Sequence, residues 1–91
     1  MAYQVVVLKG AERDLEGLSP SIRKTIVRRI HWLAQNAKQV IHHPLVGLPD
    51  DLSGLHKLRI GDYRALYWKS DVKRQIQVFR VRHRSIVYRK L

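Results

Sequence analysis

Lys57, Arg64, His83, Arg84 and Tyr88 bring into the second half of this chain the side-chain types that metal-free RNA cleavage uses. Transesterification of RNA needs a 2′-hydroxyl deprotonated, the charge of the phosphorane stabilised and the 5′-oxygen protonated. An imidazole moves protons near neutral pH, a guanidinium stabilises dianionic charge without titrating, and a phenol stacks on a base or donates a hydrogen bond. The run Val81-Arg82-His83-Arg84-Ser85-Ile86-Val87-Tyr88 alone supplies an imidazole, two guanidiniums and a phenol. Each has an ordinary alternative: a histidine near a strand end is common on surfaces, and a tyrosine at position 88 would serve equally well in a core.

The elements that must position these groups belong to a short, basic chain. Ninety-one residues with 18 Lys and Arg against 7 Asp and Glu carry a formal charge of +11. That length suits one core, so a single domain over residues 1–91 is expected. A hydrophobic content of 45% argues against disorder. No apolar run reaches the roughly 20 residues that span a bilayer, and the opening Met1-Ala2-Tyr3-Gln4-Val5 lacks a charged-then-apolar leader pattern. A cytoplasmic protein without membrane contact is expected. With no cysteine there is no disulfide, thiolate nucleophile or Cys-based zinc site, and the adjacent His42 and His43 lack a third ligand, so neither metal nor cofactor is expected. Residues 55–91 hold eleven Lys and Arg against Asp62 and Asp71 alone, a net of +9. Such density attracts phosphate through charge and counterion release, and would equally attract an acidic protein.

Tyr3 to Leu8 reads as a buried strand, closed by Gly10. Ala11, Leu15 and Leu18 at helical spacing, with acidic residues in the first turn, predict a short helix. Ser19-Pro20 then supplies an N-cap and a first-turn proline, and Ile22, Ile26, Val27, Ile30, Leu33, Ala34 and Ala37 predict a longer helix to about residue 37. Trp32 is expected to pack. Residues 38–54 form a punctuated loop with Val40-Ile41 and Leu45-Val46 as anchors, either functional or covering a core edge.

Beyond the loop the period falls toward two. Leu55–Ile60 and Tyr63–Lys69 flank Gly61-Asp62, a two-residue hairpin signal with glycine at the first central position of a type II′ turn. Counting outward sets Ile60 opposite Tyr63, Arg59 opposite Arg64, Leu58 opposite Ala65, Lys57 opposite Leu66 and His56 opposite Tyr67. One face then carries Leu58, Ile60, Tyr63, Ala65 and Tyr67, the other Lys57, Arg59, Arg64, Leu66 and Trp68. Arginines directly opposed on a sheet face repel by about 0.2–1 kcal/mol, an arrangement that a fold does not need and a phosphate site does. Splaying into solvent or pairing with Asp50, Asp51 or Asp62 would be the structural explanation. Arg59 and Trp68, with Arg80 and Arg82 of the following strand, are expected to contact nucleic acid. Gln75–His83 is that strand; its imperfect alternation predicts either two covered faces or a bulge near Val78. Ser85–Lys90 reads as a terminal strand or short helix. The order β-α-α-β-β-β, a helical hairpin packed on a small, mainly antiparallel sheet, gives the class α+β.

Lys57-Leu58-Arg59, Gly61-Asp62-Tyr63-Arg64-Ala65-Leu66-Tyr67, Val81-Arg82-His83-Arg84 and Val87-Tyr88, in this order of elements, resemble the RelE/ParE superfamily of toxins from toxin–antitoxin operons. The resemblance spans essentially the whole chain. It implies a RelE-like fold and, for the RelE branch, a ribosome-dependent endoribonuclease that cuts mRNA in the A site by metal-independent 2′-hydroxyl attack. By that resemblance Arg64 and Arg84 would stabilise the phosphorane or leaving group, Tyr88 would stack on a base, Lys57 would stabilise charge or handle a proton, and His83 would act as acid or base. The implied partners are the ribosome, mRNA and a cognate antitoxin whose acidic tail wraps the toxin; the basic helix face of Arg23, Lys24, Arg28 and Arg29 would meet ribosomal RNA.

The chain departs from the pattern in three places. Leu55 replaces the second strand lysine, Arg82 replaces the glycine before His83, and no glutamate stands where the YoeB-like branch carries its general base. The alternatives are a ParE-like inhibitor of DNA gyrase, whose branch shares Tyr63-Arg64 and Val87-Tyr88, and a non-catalytic basic module that binds nucleic acid.

Overall fold

The computed structural model describes residues 2–91. Strand β1 (Gln4–Val7) leads into helix α1 (Lys9–Glu16), helix α2 (Pro20–Gln35), a two-residue strand β2 (His43–Pro44), a 3-10 turn at Asp50–Leu52, and strands β3 (His56–Ile60), β4 (Tyr63–Ser70) and β5 (Gln75–His83). The sheet order is β1-β5-β4-β3-β2, with β1 parallel to β5 and every other pair antiparallel. None of the described helices is long and apolar enough to cross a membrane.

Both helices bury the stripes their spacing predicts: Ala11 and Leu15 from α1, Ile26, Ile30, Leu33 and Ala34 from α2. These close over Ile60, Ala65, Tyr67, Ile76, Val78 and Val81 on one face of the sheet. Pro20 opens α2 as expected, but the Ser19 hydroxyl makes no capping bond. Gly10 lies inside α1 instead of closing the strand, and a Cβ there would stand 2.9 Å from the Arg80 side chain. The hairpin register is the one counted from the turn, Arg59 facing Arg64 and Ile60 facing Tyr63. Gly61 has φ +57°, with Asp62 at negative φ, as a type II′ turn requires.

The irregular third strand has both of its expected causes. Leu66 pairs with Arg80 and Tyr67 with Val78, so Phe79 is the extra residue of a β-bulge. Parity changes there: Val78 and Val81 both enter the helix-side core, while Phe79 packs on the other side with Leu66 and Trp68. That other side has its own small core of Leu52, Leu55, Leu66 and Val87, covered by Leu45, Leu48 and Leu91. Residues 38–54 thus serve largely as a cover for a core edge. Val40 and Leu45 anchor the segment, whereas Ile41 and Val46, expected as anchors too, are 82% and 89% exposed. The chain after His83 is neither strand nor helix but a series of turns, pinned by the buried Val87 and by the Arg84 N–H donating to the Asp62 carbonyl at 2.7 Å.

Candidate active site

The register puts three guanidiniums in one row across the sheet. Arg59 on β3 faces Arg64 on β4, and Arg64 faces Arg82 on β5. One step along the same face, Lys57 pairs with Leu66 on one side and with His43 of β2 on the other. His43, Lys57, Arg59 and Arg64 together line a hollow of about 300 Å³. Among the described residues no carboxylate lines it, so its positive charge is unneutralised there. Sheet strands fix these Cα positions, which is the preorganisation that phosphate recognition and charge stabilisation need.

Arg64 is further oriented by the turn beneath it. Its Nη1 donates to the carbonyls of Gly61 and Tyr63 at 2.9 and 2.8 Å. Its other two nitrogens have no hydrogen bond to a described residue and remain available for a phosphate. Lys57 also borders a second, larger hollow of about 570 Å³ that it shares with Tyr88, Leu45 and Leu91. Tyr88 is 49% exposed, held in place by its buried neighbour Val87. Lys57 therefore links the arginine pair to the tyrosine.

The remaining expected residues lie elsewhere. His83 pairs with Tyr63, on the opposite parity from the arginine row, and its ring meets Tyr63 edge-on at 5.5 Å. Its Nδ1 accepts from the Ser85 amide at 3.2 Å and lies 2.8 Å from the Ser85 hydroxyl. It borders a separate hollow with Asp14, Leu18 and Arg82. Arg84 is exposed on the turn, with Nε 3.7 Å from Asp62 Oδ1 across largely solvated side chains, a pairing of little energetic weight. Arg82, in the row, also donates to the carbonyl of Arg89.

Arg80 and Trp68, expected to contact nucleic acid, have structural partners. Arg80 makes two charge-assisted bonds to Asp14, at 2.8 and 2.9 Å, and Asp14 also accepts the Val81 amide at 2.9 Å. Burial works against ionisation of Asp14, but the hydrogen bonds from Arg80 and Val81 outweigh it and hold the carboxyl below its usual range. Trp68 donates its indole N–H to the Ser53 carbonyl at 2.9 Å and packs against Phe79.

Sequence reasoning passed over His43. Adjacent histidines suggested only a metal, and among the described residues no group of three possible ligands exists. In the structure the pair divides. His42 turns inward: with Nε2 donating to the Ala37 carbonyl at 2.6 Å, its Nδ1 accepts the Tyr67 hydroxyl at 2.6 Å. Burial pushes the Tyr67 phenol up to about 12, so it stays protonated as that donor. In an extended segment the next residue points to the opposite face, and His43 is accordingly exposed beside Lys57. The sequence signal was alternation, hidden because β2 is only two residues long.

A family model described as "ParE toxin of type II toxin-antitoxin system, parDE" matches residues 5–88. The chain is 32% identical to the toxin RelE of Mycobacterium tuberculosis over 87 residues, 96% of this chain and 87% of that one. Among solved structures it is similar to the toxin–antitoxin complex RelBE2 of Mycobacterium tuberculosis, with a TM-score of 0.77, 31% identity and coverage of 93% and 94% of the two chains. The isolated Escherichia coli RelE toxin, at TM-score 0.70 and 20% identity over 90% of this chain and 84% of that one, shares the fold. So does the chromosomal ParDE system of Pseudomonas aeruginosa, at 0.67 and 19% over 90% and 96%. The chain belongs to the RelE/ParE superfamily of type II toxin–antitoxin toxins.

Proposed function

We propose that this toxin is a ribosome-dependent endoribonuclease that cuts mRNA in the A site by attack of a 2′-hydroxyl on the adjacent phosphate. The observation that carries the reading is the carboxylate-free hollow of His43, Lys57, Arg59 and Arg64. Its three cations suit the developing charge of a phosphorane, and its imidazole is the one side-chain type of the four that exchanges a proton readily near neutral pH. Arg64 and Arg59 grip the phosphate oxygens, with Arg82 extending the row. Lys57 stabilises the same charge from the Tyr88 side, and Tyr88 offers a stacking surface to the base. His43 takes the proton of the 2′-hydroxyl or returns one to the 5′-oxygen; His83 and Arg84 lie outside the hollow. A cognate antitoxin with an acidic segment would cover this face, a reading supported by the relative whose structure is a toxin–antitoxin complex.

Primer extension on mRNA bound to purified ribosomes tests the reading. It predicts cuts confined to the A-site codon; uncut mRNA together with stalled gyrase supercoiling would assign the chain to gyrase inhibition instead.

A further inference from the structure

Trp32, expected to pack, is only partly covered. It is 40% exposed on α2, and the guanidinium of Arg29, one turn earlier, lies over its ring with the central carbon 4.5 Å from the centroid. Both residues line a hollow of about 180 Å³ with Ile41, His43, Lys57 and Arg59. Three of these, His43, Lys57 and Arg59, also line the hollow of the arginine pair. The two depressions are therefore contiguous. β2 covers only His56 and Lys57 of β3, so the outer edge of β3 from Leu58 onward has no strand neighbour among the described residues. Leu58 and Arg59 of that open edge line the second hollow.

From this continuity we propose a nucleobase-stacking subsite at Arg29 and Trp32, which holds a nucleotide flanking the scissile phosphate as single-stranded RNA crosses from the basic face to α2. The proposal rests on the RNA-binding part of the reading above. An indole and a guanidinium plane both stack on bases of any sequence, and cationic walls track the backbone. Arg29, Lys57 and Arg59 supply those walls, no carboxylate lines the hollow among the described residues, and the exposed Ile41 adds apolar contact for base or sugar. An acidic protein would use the cations but gains no stacking from the indole, which gives the two occupants different signatures.

Indole fluorescence reads the stacking directly. The chain has two tryptophans, and the partly buried Trp68, packed against Phe79 with its N–H bonded to Ser53, stays in the variant as the background signal that the comparison subtracts. The probe is a short single-stranded 2′-O-methyl RNA, which lacks the nucleophile and stays intact, titrated at low salt into the wild-type chain and into Trp32→Leu. Quenching is expected in the wild type and not in the variant, whose affinity should fall at least about fivefold, with inorganic polyphosphate binding both proteins without quenching. RNA binding without quenching, equal affinity in the variant, equal quenching by polyphosphate, or no binding at all would overturn the subsite. Ribosomal cleavage separates the two claims. A wild-type chain that cuts in the A site but shows no quenching loses the subsite alone, and one that quenches but never cuts loses the nuclease reading alone.

Discussion

Arg59 and Arg64 stand directly opposite each other in the β3–β4 ladder, with Arg82 continuing the row on β5. Nothing in the folding of a small domain asks for three guanidiniums side by side. The turn that fixes the register, Gly61-Asp62, also supplies the Gly61 carbonyl that holds Arg64 in place.

Because like charges opposed across strands cost about 0.2–1 kcal/mol, Arg64→Gln is expected to leave stability unchanged or raise it by up to about 1 kcal/mol. Cleavage should fall by roughly 10²–10³, the loss typical of removing one donor to a developing charge. Urea denaturation and single-turnover cleavage on ribosomes measure the two. A loss of both together would mean that Arg64 is structural.

His43→Ala should lower the cleavage rate by roughly 10²–10⁴ if its imidazole handles the proton, with partial recovery on adding free imidazole. His83→Ala, which lies on the Tyr63 side of the sheet, should lose less than about tenfold by the same measure of general acid–base contributions. The reverse ranking would move proton transfer to the other side of β5.

Asp14→Asn leaves the half-buried Arg80 without its carboxylate and is expected to cost about 1.5–3 kcal/mol in denaturant unfolding. The folded carboxyl is held below its usual range, so its contribution to stability is complete at neutral pH. It falls away as the pH drops from about 4 through the lower folded value. The variant should show a shallower acid limb.

His56 acts in the same direction at milder acid. Its ring stacks on Tyr67 at 5.6 Å, and its Nδ1 is buried with no hydrogen-bond partner among the described residues. Burial, then the neighbouring His42, pushes the imidazole below its ordinary value. The unfolded chain therefore binds the extra proton first, and stability should decline as the pH falls below about 6.5. His56→Phe, which keeps the stacking and removes the titration, should flatten that part of the pH profile of thermal unfolding.

Most of the frame was legible because short-range rules governed it. Helical stripes and a two-residue turn set α1, α2 and the β3–β4 register without reference to anything distant, and with the register came the pairing of Arg59 with Arg64. What was hidden depends on contacts far apart in sequence. The Asp14–Arg80 pair joins residues 66 positions apart, so nothing local distinguished Arg80 from the arginines of the row. The second core, which claims Trp68 and Phe79, forms only once residues 38–54 and Val87 close over the sheet. His43 belonged to a strand too short to show a period, and Trp32 lay off the apolar stripe of α2, so that only its size argued for packing.

If the hollow beneath Arg59 and Arg64 performs 2′-hydroxyl attack on ribosome-bound mRNA, cleavage depends on a single 2′-oxygen. Single-turnover cleavage of an mRNA carrying one 2′-deoxynucleotide immediately 5′ of the scissile phosphate, beside the all-ribose message, measures that dependence. The all-ribose message should be cut to a 2′,3′-cyclic phosphate and a 5′-hydroxyl, and the deoxy message should stay intact at that bond. Equal cleavage of both, or a 5′-phosphate on the product, would contradict it.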